Sequence, residues 1–304
     1  MRVFVTGASG HIGSAVVSDL LAAGHQVTGL ARSDASAAAV TGLGATALRG
    51  DLDDPGGLAA AAADADGVIH LAFKHEEAFA GGWGDALTAE WTALRALGDA
   101  LAGSCKPLVW ASGVAGESRE RILTEEDPVA PSAEGGGRGD VEIAVLRLAE
   151  RDVRSSVVRI PPITHSALDR AGFARMLIAT ARRNGFAGYP GDGANRWPAG
   201  HTLDVARVFR LALEKAPPGT RWHPAGDEGI PVREIAQHIG DGLGLPVRSV
   251  PAAELPSHFG PFMSRVIVNN TPVSTSTTRR VLGWEPSHPG LFEDFDRLDY
   301  FSFA

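Results

Sequence analysis

Residues 2–13 read Arg2-Val3-Phe4-Val5-Thr6-Gly7-Ala8-Ser9-Gly10-His11-Ile12-Gly13. The run Val3-Phe4-Val5 suits a parallel strand buried on both faces, and the chain then turns through three glycines into a helix. Gly7 permits the tight turn, Gly10 lets the backbone approach a pyrophosphate with no Cβ in the way, and Gly13 lets the helix lie close on the strand. A pyrophosphate there would meet the unpaired N–H groups of the first helical turn, with Ser9, His11 and Ile12 beside it. The helix carries Ile12, Val16, Val17, Leu20 and Leu21 on one face and closes at Gly24. His25 to Leu30 then makes a second strand. A complete β-α-β unit of this length distinguishes a dinucleotide clamp from a bare glycine turn.

The end of the second strand selects the cofactor. An Asp or Glu there would accept from the adenosine ribose 2′-OH and repel a 2′-phosphate. This chain has Ala31-Arg32-Ser33, with no acid before Asp34. Arg32 can stack on adenine and pair with a phosphate dianion, and Ser33 can donate to it. The expectation is NADP(H).

Composition bounds the rest. At 304 residues the chain holds one large α/β domain with a smaller addition. A formal net charge of −8, with no basic block, gives no footprint for nucleic acid or an anionic membrane. The apolar runs are broken by Gly, Asp and Arg before a membrane-spanning length, so the partners expected are small molecules, for a monomer or homodimer. The single Cys105 forms no internal disulfide, and the sequence opens in a strand without a leader, which points to the cytoplasm.

Strand and helix alternate onward to a sixth strand ending at Ile160. Ala45 to Gly50 forms a third strand followed by Asp51-Leu52, an acid and an apolar residue suited to an adenine edge. A fourth strand, Val68 to Ala72, runs into Phe73, and a helix from Asp85 to Ala102 precedes the fifth strand, Leu108 to Ser112. Residues 113–139 hold a loop ahead of a helix from Asp140 to Arg151. Pro161-Pro162 closes the sixth strand. The pattern predicts a doubly wound parallel sheet over 1–160 and a smaller substrate-binding region over 161–304, some of whose elements return to the core. In that region, helices are expected over Ala167 to Arg183, Asp204 to Glu214, Val232 to Gly242 and Thr277 to Leu282.

With those residues in view, the chain resembles the short-chain dehydrogenase/reductase superfamily, in its extended or atypical epimerase/dehydratase-like branch. The resemblance rests on the glycine turn, Asp51-Leu52, His70-Leu71-Ala72, Ser112 and Thr124-Glu125-Glu126-Asp127-Pro128. His201-Thr202-Leu203-Asp204-Val205-Ala206 and Leu282-Gly283-Trp284-Glu285-Pro286 agree with it. It implies a Rossmann-type fold, with Leu71, Ala72, Phe73, Ser112, Arg138, Pro161 and Ile163 along the cofactor. The family normally carries a Tyr-x-x-x-Lys pair before the sixth strand, and this chain has none. Its tyrosines are Tyr189 and Tyr300. Counting back from Glu142, which resembles the family's glutamate after the lysine, puts Glu134 near the tyrosine position and Arg138 near the lysine.

Arg138 can donate to a ribose hydroxyl but cannot relay a proton, because its guanidinium stays charged. Ser112 can hydrogen-bond a substrate carbonyl. The candidate proton carriers are Lys74, if desolvation tunes it downward, His75, Glu134 in its glycine-rich loop, and His165 beyond Pro162. His165 either faces the substrate or caps the following helix. Asn195-Arg196-Trp197 and His201 are expected on the substrate side, with Trp197 as a flat wall. No metal-ligand spacing and no hydrolase Gly-x-Ser-x-Gly elbow occurs. Three functions follow: an NADP(H)-dependent reductase of a carbonyl, imine or activated alkene; an epimerase or dehydratase with transient redox; and a silent NADP-binding sensor.

Overall fold

A computed structural model of the chain describes residues 1–114, 120–131, 137–298 and 300–302. β1 (Arg2–Thr6), α1 (His11–Ala22), β2 (Gln26–Ala31), α2 (Asp34–Gly42), β3 (Thr46–Arg49), α3 (Pro55–Asp64) and β4 (Gly67–His70) alternate without a break. Local chemistry sets the helix starts. Ser33 caps α2 by accepting from the Ser36 N–H at 3.1 Å, and Asp54 caps α3 through the Gly57 N–H at 3.0 Å, with Pro55 in the first turn.

The one-turn α4 (His75–Glu77) and a π-turn over Ala78–Gly82 lead into α5 (Trp83–Leu101). Then come β5 (Pro107–Gly113), α6 (Arg138–Arg147) and β6 (Arg154–Ile160). The remaining elements are β7 (Ile163–His165), α7 (Phe173–Asn184), β8 (Ala187–Pro190), β9 (Arg196–His201), α8 (Thr202–Lys215) and β10 (Thr220–Trp222). After them come β11 (Asp227–Pro231), α9 (Val232–Leu243), β12 (Val247–Val250), α10 (Leu255–Val266), α11 (Ser276–Leu282) and α12 (Leu291–Arg297).

The main sheet has seven parallel strands in the order β10-β6-β5-β4-β1-β2-β3. It is a Rossmann-type doubly wound sheet, as the sequence predicts. Side-chain alternation along β1 builds its two layers: Val3 and Val5 pack with Val16, Val17 and Phe209 of α1 and α8, whereas Phe4 packs with Leu58, Ala62 and Leu97 of α3 and α5. Strand order reverses between β1 and β4, so the ligand crevice lies outside their carboxyl ends, at Gly7 and Leu71.

Beyond β6 a three-stranded sheet, β11-β9-β7, and a two-stranded one, β12-β8, enclose a second core that includes Trp197, Ile178, Ile235 and Phe259. α8 and β10 rejoin the main sheet. Three differences from the sequence reading have local causes. α7 starts at Phe173 instead of near Ala167, because Asp169 turns the chain by accepting from the Gly172 N–H at 2.7 Å. α10 contains Pro261 and a Gly260 at φ +81°, which hide it from a periodicity reading. α12 is only seven residues long. No described helix is long and apolar enough to cross a membrane.

Candidate active site

The glycine turn is a tight cradle. Gly7 has φ +69°, and a Cβ on it would lie 2.9 Å from the Ala72 nitrogen. One on Gly13 would lie 1.9 Å from the Gly7 carbonyl oxygen, so strand and helix approach only because both residues are glycine. A Cβ on Gly10 would meet only that oxygen, at 3.2 Å, and otherwise open space. Gly10 caps α1, whose first internal hydrogen bond is from Ser14 N–H to the Gly10 carbonyl. The N–H groups of His11, Ile12 and Gly13 precede it and form the anion-binding end of the helix.

β4 is tied onto this cradle by Thr6. Its Oγ1 accepts from the Leu71 and Ala72 N–H groups, both at 3.2 Å, and lies 2.8 Å from Nδ1 of the buried His70. Burial, then the Arg138 charge, pushes His70 down to about 3, so its ring is neutral. His11 is fixed from the other side, with Nε2 2.8 Å from Thr202 Oγ1 at the start of α8.

Arg32 stands exposed at the end of β2, 3.3 Å from Glu76. The Ser33 hydroxyl is engaged in the cap of α2, Asp51 accepts from the Asp53 N–H, and Leu52 is buried in the core layer with Phe4 and Leu58. Lys74 corrects an expectation. Its Nζ lies 2.7 Å from Asp53 and 3.6 Å from Glu77, and the Asp53 hydrogen bond raises it instead of tuning it down. His75 behaves otherwise: its ring stands edge-on to Phe73 at 5.0 Å, and desolvation followed by the Arg138 charge lowers it.

Arg138 opens α6 and reaches the end of β5. Its Nη2 donates to the Ala111 carbonyl at 2.6 Å and lies 3.3 Å from Glu90 Oε1, with the guanidinium 4.8 Å from the Phe73 ring centroid. Ser112 is the next residue along that strand and is nearly buried. Glu90, on α5, is 1% exposed and accepts from Trp110 Nε1 at 3.1 Å; burial raises its carboxyl against the opposing pull of Arg138. The sequence reading misses Glu90. Its signal is a carboxylate on the apolar face of α5, in step with Ala86, Leu94 and Leu97.

Glu142, used above to set the register, is buried between Arg159 at 2.6 Å and Arg221 at 2.7 Å. Glu134 lies outside the described residues. His165 neither opens to a substrate nor caps a helix: it is fully buried, with Nδ1 2.6 Å from Asp294. Trp197 likewise corrects the expected flat wall, since it is wholly enclosed and donates to the Asn269 carbonyl at 3.1 Å. Asn195 donates to the Ile267 and Asn269 carbonyls. Ile163 is a core residue of the second region, and Pro161 is also buried.

Tyr300 is buried against Ser166 and Asp169, and burial raises it further from ionisation. His201, Asp204 and His288 form one cluster. Its imidazoles are stacked at 8° with centroids 4.5 Å apart, so no point within bonding distance of both rings lies in both ring planes, and Asp204 already accepts from the Ser287 and His288 N–H groups. A groove of about 680 Å³ lies against α3 and β1 to β3, lined by residues that include Gly50 and Asp51 but neither Arg138 nor Ser112.

Residues 3–223 match the NAD dependent epimerase/dehydratase family. An uncharacterized protein of Schizosaccharomyces pombe is 41% identical over 99% of this chain and 100% of its own length. A 3-diazoavenalumate denitrifying reductase from a Streptomyces species is 30% identical, over 98% of this chain and 100% of its own. Among solved structures, a double mutant of a dTDP-glucose 4,6-dehydratase from Streptomyces venezuelae, with NAD bound, superposes with a TM-score of 0.75. It is 21% identical and covers 98% of this chain and 95% of that one, so it bears on the fold.

Proposed function

The chain belongs to the NAD dependent epimerase/dehydratase family, and from that premise we propose that it is an NADP(H)-dependent oxidoreductase that reduces a carbonyl, imine or activated alkene of a small organic molecule. The observation that carries the reading is the cradle itself. Gly10 leaves open space for a pyrophosphate at the start of α1, Gly7 and Gly13 let the turn close beneath it, and Arg32, with no Asp or Glu ending β2, stands there for a 2′-phosphate. Among the described residues Arg32 pairs with the exposed Glu76, and such surface pairs are weak enough to exchange for a phosphate. Asp51 and Leu52 would border the adenine, and Arg138 would serve the nicotinamide ribose. The dinucleotide, when bound, supplies a hydride.

The chain's own residues supply positioning. Ser112 donates a hydrogen bond to the substrate oxygen on which negative charge develops. The Arg138 charge beside the Ala111 carbonyl favours the same charge. Lys74, held as a cation by Asp53, is a poor proton relay, which leaves His75 or water to deliver the proton.

The buried Tyr300 and the absent Tyr-x-x-x-Lys pair favour one second reading, a dinucleotide-binding sensor without turnover. The test is to follow NADPH absorbance with a panel of small ketones, aldehydes and imines. One NADPH oxidised per substrate reduced supports the reductase. Tight NADPH binding with no consumption across the panel supports the sensor.

A further inference from the structure

Aromatic side chains from four separate segments meet over the carboxyl end of β4. Phe73 leaves the strand, Phe79 and Trp83 come from the π-turn and the start of α5, Phe173 opens α7, and Phe262 belongs to α10. Ring centroids are 5.6 Å apart for Phe73 and Trp83, 4.5 Å for Phe79 and Phe262, 6.1 Å for Trp83 and Phe262, and 5.9 Å for Phe173 and Phe262. Phe79 and Trp83 remain 41% and 39% exposed, although both are large apolar side chains with neighbours at hand. One end of the cluster reaches the polar site, since Arg138 lies over Phe73 and bonds the carbonyl next to Ser112.

We infer that this half-open ring cluster is the substrate-binding wall and that it takes a flat, conjugated ring compound bearing a carbonyl, whose ring stacks on Trp83, Phe79 and Phe262. The assignment rests on the reductase reading and adds the substrate class to it. Aromatic faces favour offset or edge-on contact with another π system. A nucleoside diphosphate would need cations instead. Among the described residues, the basic groups against these rings are Arg138, which is already paired with Glu90, and His75, which desolvation and the Arg138 charge lower.

Binding to the full-length protein separates the alternatives. Calorimetry with 2-acetylnaphthalene, 2-octanone and UDP-glucose, with and without NADP, should give at least tenfold tighter binding for the naphthyl ketone. Trp83→Leu and Phe79→Leu should each weaken that binding about fivefold and narrow the preference over 2-octanone by a similar factor. Equal affinities for the two ketones, tighter UDP-glucose binding, or variants that lose stability without losing ring selectivity would overturn the inference. Selective ring binding without NADPH oxidation would sustain it while overturning the reductase reading. Oxidation of NADPH by aliphatic ketones without ring selectivity would do the reverse.

Discussion

A β-carbon at Gly13 would sit 1.9 Å from a backbone oxygen that cannot move without breaking the turn, whereas one at Gly10 would meet that oxygen at 3.2 Å and nothing else. The two glycines therefore fail differently. Gly13→Ala should lower folding stability by about 1–3 kcal/mol, the usual range for forced overpacking. Gly10→Val should fold with an unchanged urea midpoint and lose dinucleotide binding, because Gly10 has the extended backbone that any residue adopts. Calorimetry and urea titration on both variants check the pair; an unfolded Gly10→Val or a fully stable Gly13→Ala would contradict it. These glycines are legible in the sequence because their spacing encodes their geometry. Glu90 leaves a signal there, a carboxylate in the apolar register of α5, that the sequence reading passes over. His165 and Trp197 are misleading, because nothing local reveals that Asp294 or Asn269 will enclose them.

At the scale of elements, two late sequence signatures prove to be one structure. Asp204, in the first turn of α8, accepts from the Ser287 N–H at 3.1 Å and the His288 N–H at 3.0 Å, and its carbonyl accepts from Trp284 Nε1 at 3.0 Å. α8 is thereby locked to the chain that leaves α11, while its Thr202 holds His11 of the glycine turn. Asp204→Ala should cost about 1.5–3 kcal/mol, since it removes the buried carboxylate that accepts from the Ser287 and His288 N–H groups. A loss below about 0.5 kcal/mol in chemical denaturation would show that the lock is dispensable. The alternating strands and helices of the first half are readable because each has one period and short connections. α10 and the aromatic cluster are not, since a kinked helix has no clean period and the rings come from residues 73 to 262.

The whole molecule holds several histidines neutral in its interior. Burial is the first cause for each: His70 and His223 are pushed to about 3, with help from Arg138 and Arg159, and His201 to about 4 despite the opposing pull of Asp294. A folded-state value below the unfolded one, about 6.5, means that the unfolded chain binds more protons as the pH drops. Their contribution is fully present above about pH 6.5 and is lost as the pH falls toward 4 and then 3, at up to about 1.4 kcal/mol per pH unit for each histidine. Glu90, raised by burial, acts in the opposite sense but is one group against three. Urea midpoints should therefore fall steadily between pH 7 and pH 4.5, and a flat or rising profile would contradict the neutral interior.

The claim on which the functional reading stands is that the crevice between β1 and β4 holds NADPH and that Arg32 recognises its 2′-phosphate. A charge-assisted hydrogen bond of this kind is worth about 1.5–3 kcal/mol, which is tenfold or more in affinity. The direct measurement is calorimetric titration of the protein and its Arg32→Ala variant with NADPH and NADH. The account predicts at least tenfold tighter NADPH binding by the unmodified protein and near-equal, weaker NADPH binding by the variant, with NADH affinity unchanged. Equal affinity for the two dinucleotides in the unmodified protein, or binding of neither, would contradict it.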